Sequence, residues 1–247
     1  MNAAPELQLR LLDLQALDSA LDQLAHRRRS LPEHTEAERL STRLGELRSE
    51  IVTAETEEGD IAREQAKAET DVEQVVSRAE RDQTRLDAGQ VGSPRELENL
   101  QSEIASLSKR RSDLEDTVLE IMERREAVQQ RLSALTTERE TLTAELADVE
   151  HRRGGALADF DAQVEKTTIE RVLIAKDIPA ELMTLYEKIR GSQGGVGAAA
   201  LSRGRCEGCH LSLDATSLSD IRSAAPDAVL RCEECRRILV RTSESGL

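Results

Sequence analysis

Apolar residues in the central part of the chain recur at alternating spacings of three and four positions. From Leu97 to Phe160 this pattern continues through about nine heptads, which is typical of a left-handed coiled coil. If Leu97 is assigned to position a, every d position from Leu100 to Ala156 is apolar. The pattern predicts one long amphipathic helix over this segment.

The a positions of this segment alternate between aliphatic residues and arginine. The arginines occur at every second heptad, as Arg111, Arg125, Arg139 and Arg153. We favour the interpretation that they set the register, because their aliphatic stems can pack while the guanidinium groups reach water. The alternative is that they form a basic row for a partner.

A second heptad series of similar length precedes the first and runs from Leu40 to Leu86. Two such series on either side of one break predict an antiparallel helical hairpin. If the chain reverses near Gly89 and Gln90, Ala68 lies opposite Arg111 and Ala54 lies opposite Arg125. Small residues would then leave room for the long arginine side chains.

The break itself has the signals of a helix end followed by a helix start. Gly89 and Gly92 can end the first helix, and the tip residues that follow are Ser93, Pro94, Arg95, Glu96 and Leu97. Ser93 can cap the second helix, Pro94 suits its first position, and Glu96 completes a capping box. We therefore expect a hairpin over residues 1–178 with its tip near residues 88–94.

Two further features delimit this hairpin. Pro32 predicts a kink near residue 32, because a proline inside a helix removes a backbone hydrogen bond. A leucine stripe upstream of Pro32, from Leu7 to Leu24, is expected to pack beside the base of the hairpin. After residue 178, we expect a short helix and a glycine-rich linker over residues 179–200, with a first strand near Val196 to Ser202.

All four cysteines lie in two CxxC motifs near the end of the chain, Cys206-Glu-Gly-Cys209 and Cys232-Glu-Glu-Cys235. Two such motifs supply the tetrahedral set of four thiolates that structural zinc prefers. The spacing predicts a C4 zinc ribbon over residues 201–242 that binds one structural Zn²⁺. His210 adjoins Cys209, but four cysteines already complete the site, so we expect this histidine to be exposed.

Two other interpretations of these cysteines are less favoured. A redox pair usually starts a helix in a βαβ setting, and no such pattern flanks either motif. A disulfide framework requires an oxidising compartment, and the first fifteen residues contain no secretory signal. We therefore expect a cytoplasmic protein.

Composition restricts the function further. One Phe, one Tyr and no Trp, together with 33% charged residues, exclude a thick globular core over most of the chain. No apolar run is long enough to span a membrane, and no small-molecule substrate site is evident. The four histidines are scattered and form no recognisable nucleophile arrangement. We therefore expect no enzymatic activity.

The formal net charge of −14 is unevenly distributed. From Leu201 onward, seven arginines balance seven acidic residues. Six arginines lie around the cysteine motifs and are candidate contacts for nucleic acid or another partner: Arg203, Arg205, Arg231, Arg236, Arg237 and Arg241. They could instead offset the charge of a zinc–thiolate cage, and the scarcity of aromatic residues removes the stacking platforms of single-strand binders.

The chain resembles a bacterial family that joins a coiled-coil hairpin to a C-terminal four-cysteine zinc ribbon. The resemblance is carried by both cysteine motifs, by Arg237-Ile238-Leu239, and by the tip run from Pro94 to Leu100 with Glu103. Two positions differ from the family pattern. Arg236 replaces a common glycine after the last cysteine, and Leu97 replaces an aromatic residue at the tip.

One branch of this family is a flagellar regulator, which the resemblance associates with an alternative sigma factor and a flagellin messenger RNA. Only the general role of an adaptor is carried over here, since the tip aromatic is absent. The expected function is a non-enzymatic adaptor that binds a protein partner, with transcription machinery as a candidate second contact. The alternative is an RNA- or DNA-binding regulator that acts through the ribbon arginines.

Overall fold

A computed structural model describes all residues, 1–247, and confirms a mostly helical chain with a small C-terminal sheet. Two compact units are distinguished: unit 1 contains Met1–Thr35 and Glu150–Leu247, and unit 2 contains Glu36–Val149. The helices are α1 Pro5–Arg29, α2 Pro32–Asp87, α3 Pro94–Lys176, α4 Ala180–Ser192 and α5 Ala215–Ser223. The strands are β1 Ala198–Ser202, β2 Arg205–Cys206, β3 Leu230–Arg231 and β4 Ile238–Arg241. None of these helices combines the length and the apolar character that a membrane span requires.

The hairpin tip in unit 2 is built by side-chain caps. Gly89 adopts a φ of 62°, a left-handed conformation that glycine tolerates, just after α2 ends. The backbone N–H of Glu96 donates to Ser93 Oγ (3.2 Å), and the Glu96 carboxylate accepts from the N–H of Gly92 (2.9 Å). Pro94 occupies the first position of α3. The reciprocal caps therefore start α3, although the glutamate reaches Gly92 rather than Ser93.

The apolar seam of unit 2 is thin and regular. One buried cluster contains Ile61 and Ala68 of α2 with Ile121 and Val128 of α3. This cluster shows that the predicted register is wrong, since Ala68 packs against Ile121 instead of lying opposite Arg111. Arg125 likewise meets Glu58 and Gln65 of α2 rather than Ala54, so the error is about one heptad. The reversal is therefore centred further along the chain than Gly89 and Gln90.

Arg125 shows how the seam accommodates an arginine in this register. Its Nε donates to Glu58 Oε1 (2.8 Å), and its Nη1 donates to Gln65 Oε1 (3.2 Å). Hydrogen bonding to Arg125 lowers the pKa of the Glu58 carboxyl. Polar partners on α2 therefore receive this guanidinium, and Ala54 does not make room for it as expected.

The other arginines of the same series make no ion pair with α2: Arg111 and Arg139 are exposed and Arg153 is half-buried. Arg111 pairs with Glu115 at 2.7 Å and Arg153 pairs with Glu150 at 3.7 Å, each within α3, while Arg139 is exposed. The side chains thus form local ion pairs instead of one continuous row. Of the four arginines, only Arg125 bonds across the seam, so the role of the other three stays a prediction.

Unit 1 is organised around a four-stranded sheet with the order β2-β1-β4-β3. The central strands β1 and β4 are parallel, and the two outer pairs are antiparallel. One face of the central pair packs against α1 and α4 through Ala198, Ile238 and Val240. The other face contributes Ala199, Leu201 and Leu239 to a core that contains the cysteines. Strand β1 lies within the first strand expected near Val196 to Ser202, so the segment 179–200 ends in a strand.

A buried polar cluster fixes α1 in unit 1, and nothing in the sequence pattern indicated it. The fully buried Asp18 accepts from Arg171 Nε of α3 and from the Tyr186 hydroxyl of α4, both at 2.6 Å. Gln15 Oε1 accepts from the backbone N–H of Gly197 at 2.7 Å. A Cβ on Gly197 would lie 2.7 Å from the Tyr186 ring, so this position requires glycine. The cluster links three helices to the start of β1.

Replacing Asp18 tests this cluster. Asp18→Ala removes the buried carboxylate that accepts from Arg171 and from the Tyr186 hydroxyl and leaves them only Glu187 and Gln15 as partners, so we expect a loss of about 3 kcal/mol in the free energy of unfolding of unit 1. Urea unfolding followed by circular dichroism measures the change. Asp22→Ala, at an exposed acidic position of the same helix, is the matched control and is expected to change stability by about 0.5 kcal/mol or less. Equal effects of the two substitutions would contradict the assigned role.

Candidate metal centre

The first cysteine motif follows a tight hairpin in unit 1. Strands β1 and β2 pair as Leu201 with Cys206 and Ser202 with Arg205, which leaves a two-residue turn. Both turn residues have positive φ, 46° at Arg203 and 73° at Gly204. Such a turn matches the twist of the strands it joins. It places Cys206 at the end of β2, where the motif begins.

The two motifs repeat the same backbone hydrogen bonds. The N–H of Cys206 donates to the Leu211 carbonyl (3.0 Å), and the N–H of His210 donates to the Cys206 carbonyl (2.7 Å). In the second motif, the N–H of Cys232 donates to Arg237 (2.9 Å), and the N–H of Arg236 donates to Cys232 (2.9 Å). Two equivalent knuckles therefore present their thiols to a common point.

The residue after each second cysteine has a left-handed backbone. His210 has a φ of 59° and Arg236 has a φ of 64°. Non-glycine residues are disfavoured in this region because Cβ approaches the carbonyl oxygen. The glycine expected from the family pattern would relieve this strain at position 236. His210 is exposed, and its Nδ1 lies 3.9 Å from Glu207 Oε2.

The four thiols form a closed cluster. Sγ of Cys206 lies 3.9 Å from Sγ of Cys235, and Sγ of Cys209 lies 3.9 Å from Sγ of Cys232. All four Sγ atoms lie within 4.8 Å of one another. A tetrahedral site with Zn–S bonds of about 2.3 Å requires sulfur separations of about 3.8 Å. The cluster therefore fits one structural zinc, and four thiolates complete its coordination.

Burial and hydrogen bonding shift the pKa values of the cysteine thiols in different directions. Burial raises the pKa of the Cys206 thiol to about 12 and also raises the pKa of Cys232. Burial acts in the same direction on Cys235, but the backbone N–H of Arg237 and the neighbouring thiols outweigh it and lower that pKa to about 7. A metal ion is needed to hold all four as thiolates in this apolar core.

Two of the candidate arginines stabilise the knuckles in equivalent ways. Arg205 Nη2 donates to the His210 carbonyl, and Arg231 Nε donates to the Arg236 carbonyl, both at 3.0 Å. Each arginine precedes the first cysteine of its motif and binds the carbonyl of the left-handed residue. Both side chains therefore serve the knuckle fold, although both residues are exposed.

Two other arginines each donate several hydrogen bonds to backbone carbonyls. Arg237 donates to the carbonyls of Gln193 (2.8 Å), Val196 (3.1 Å) and Gly208 (2.9 Å). Arg241 donates to the carbonyls that follow α5, including Ala225 at 2.6 Å. Arg203 and Arg236 are exposed and have no side-chain partner within the chain. The six arginines thus do not form one free basic face.

The loop between the knuckles contains a helix that the sequence analysis missed. Asp214 caps α5 by accepting from the backbone N–H of Ser217 (2.6 Å), and this bond lowers the pKa of its carboxyl. Ser217 Oγ donates to Glu233 of the second motif at 2.9 Å, and Ile221 packs in the cysteine core. The Asp-x-x-Ser cap was the available signal, but the helix has only nine residues.

The tip candidates belong to unit 2, and the structure assigns them a capping role. Ser93, Pro94 and Glu96 start α3, as described above, and Glu96 also lies 3.6 Å from Arg85. Leu97 is partly exposed. Arg95 is exposed as well.

Cys232→Ser tests the metal site. The purified chain is expected to contain one zinc per molecule, and the variant is expected to lose it because an incomplete thiolate set binds zinc weakly. Metal analysis and circular dichroism measure zinc content and helicity, and most of the helical signal should remain. His210→Ala is the matched control and should retain zinc. Full zinc occupancy in the cysteine variant would exclude this ligand set.

Arg236→Gly tests the strain at the second knuckle. Glycine adopts a positive φ without steric cost, so we expect the free energy of unfolding to rise by about 1 kcal/mol. Arg231→Gly provides the opposite control, since it places glycine within a strand and removes the hydrogen bond to the Arg236 carbonyl, and stability is expected to fall by about 1–2 kcal/mol. Thermal unfolding of the zinc-loaded variants measures both changes. A fall in stability for Arg236→Gly would show that the side chain matters more than the backbone.

Comparison with known families agrees with both parts of this architecture. The profile of the CT398-like coiled coil hairpin domain matches residues 14–194, and that of the C4-type zinc ribbon domain matches residues 205–239. Two Mycobacterium tuberculosis sequences, the proteins MT2288 and Rv2229c, are 36% identical over 100 residues. These alignments cover 40% of this chain and 40% of each relative.

Solved structures give the same result over nearly the whole chain. A protein from Mycobacterium smegmatis is 31% identical, with a TM-score of 0.84 over 98% of this chain and all of the other. CT398 from Chlamydia trachomatis is 17% identical, with a TM-score of 0.69 over 96% of this chain and 98% of that one. HP0958 from Helicobacter pylori is 15% identical, with a TM-score of 0.51 over 97% and 99%. The chain therefore belongs to the CT398-like coiled-coil hairpin family and ends in a C4-type zinc ribbon.

Proposed function

We propose that this chain is a non-enzymatic cytoplasmic adaptor whose coiled-coil hairpin binds a protein partner. The zinc ribbon provides a second contact, for which transcription machinery is the candidate. The proposal is supported by a difference between the ribbon and the hairpin in how their side chains are used. The ribbon uses its cysteines and most of its arginines for its own fold, while the hairpin presents a long surface of charged and apolar side chains.

The chemistry of the metal centre supports a structural role. Four thiolates fill the coordination sphere of zinc, and a catalytic zinc needs an open position for water or substrate. Zinc in this ribbon would therefore hold the two knuckles together. A hydrolase mechanism at this centre has no support from the ligand set.

Charge favours a protein partner over nucleic acid for the hairpin. The net charge of −14 lies in the first 200 residues, and such a surface repels polyanions. In the ribbon, Arg205, Arg231, Arg237 and Arg241 each donate to backbone carbonyls. A nucleic-acid contact would depend mainly on the two arginines without such partners, Arg203 and Arg236.

The test is to purify the tagged full-length chain from lysate and identify bound molecules before and after nuclease treatment. We expect proteins that persist after nuclease and are lost from a shortened hairpin. Deleting residues 57–77 and 109–129 removes opposing segments of equal length and keeps the observed register.

The same purification is carried out with the double variant Arg203→Glu with Arg236→Glu, which changes the ribbon surface and leaves the hairpin intact. Arg237 is avoided because its replacement would disturb the ribbon itself. Recovery of RNA or DNA that disappears in this variant, with salt-sensitive binding, would favour the nucleic-acid alternative. Retention of every protein partner by the shortened hairpin would exclude the proposed role of the hairpin.

A further inference from the structure

The two flanks of the hairpin in unit 2 have different chemistry. With Ala68 and Ile121 at d positions, residues at g lie on one flank of the seam and residues at e lie on the other. The g flank is joined by ion pairs between α2 and α3. These pairs are Arg43–Glu138, Glu57–Arg131, Glu64–Arg124, Arg78–Glu103 and Arg85–Glu96.

No ion pair joins two e positions across the seam. The e positions of α2 from Glu55 to Gln83 and those of α3 from Gln101 to Thr143 contain no lysine or arginine. Ion pairs at both flanks are the usual means of closing a two-helix coiled coil. Over these residues the e flank therefore lacks the cross-helix ion pairs that close the g flank, and Arg48 is the one arginine or lysine at an e position of α2 outside this range.

A groove on the e flank combines apolar and acidic residues. It is lined by Glu69, Val72, Glu73, Glu115, Val118 and Leu119. Leu119 is 58% exposed, and Met122, one turn further along α3, is 46% exposed. Glu115, Leu119 and Met122 occur at helical spacing, so they continue one stripe beside the seam. The apolar seam is thus widened on this flank.

The carboxylates of the groove are only partly neutralised. Glu73 has no ion-pair partner, and Glu69 accepts a hydrogen bond from the neutral Gln65 side chain (2.7 Å). Glu115 pairs with Arg111 in its own helix. The groove therefore keeps a net negative charge around an apolar floor.

We propose that this groove binds an amphipathic helix of a partner protein with a basic polar face. Leucine-like residues of that helix would cover Val118, Leu119 and Met122, and its lysines or arginines would lie against Glu69 and Glu73. An amphipathic helix that lays its apolar face into an apolar groove is a recurring mode of protein recognition. A second copy of this chain fits poorly, because its own e flank would bring carboxylates against carboxylates. The inference rests on the proposed adaptor function and identifies its partner class.

The first test uses a fluorescent helical peptide with leucine on one face and lysine on the other. Fluorescence anisotropy measures its binding to the full-length, zinc-loaded chain. We expect Glu69→Lys with Glu73→Lys, and separately Leu119→Gln with Met122→Gln, each to weaken binding by about tenfold, because these pairs remove the charge and the apolar contacts. All four positions are exposed, so these changes should not unfold the hairpin.

The matched control is Val52→Gln with Glu120→Lys, which alters one exposed apolar residue and one exposed carboxylate outside the groove. This variant is expected to bind the peptide as the unchanged chain does. Equal weakening by the control and by the groove variants would overturn the proposal, since it would indicate attraction to acidic surface in general.

The second test locates a natural partner. A photoreactive residue is placed at position 119 or, as the control, at position 52, and cross-linked peptides are identified after irradiation in lysate. The proposal expects position 119 alone to cross-link to a basic amphipathic helix. Cross-links to a second copy, or to an acidic segment, would overturn it. A partner that binds the hairpin but cross-links only elsewhere would overturn this groove while leaving the adaptor function in place.

Discussion

The parallel pairing of β1 with β4 is the contact on which unit 1 depends. Alternate side chains of these two strands enter two different cores. Ala198, Ile238 and Val240 pack against α1 and α4, whereas Ala199, Leu201 and Leu239 pack around the cysteines. Because one strand pair serves both cores, the zinc centre and the helical part of unit 1 are joined by a shared sheet instead of a flexible linker.

The two helices of the hairpin in unit 2 are held together by few apolar residues. Its seam has small clusters, such as that of Ile61, Ala68, Ile121 and Val128, and its register is supported by ion pairs on the g flank. The e flank carries exposed apolar side chains and carboxylates without cross-helix partners. This asymmetry gives an otherwise repetitive rod one surface that can be recognised.

The arginines illustrate how one residue type serves several purposes in this chain. Arg125 enters the hairpin seam because Glu58 and Gln65 accept its hydrogen bonds. Arg171 links α3 to the buried Asp18, and Arg237 holds three carbonyls of the ribbon. A count of arginines near a metal site therefore overstates the positive surface that is free to bind a partner.

The sequence alone determined the features that depend on local spacing: the two long amphipathic helices, the capped break near Pro94, and the two cysteine motifs with their metal. Only the tertiary structure decided the hairpin register, because this depends on which residues of α2 meet Ile121 and Arg125 of α3. It also decided the burial of Asp18 and the roles of Arg237 and Arg241. Their partners lie on distant segments or are backbone carbonyls, and neither periodicity nor composition carries information about such contacts.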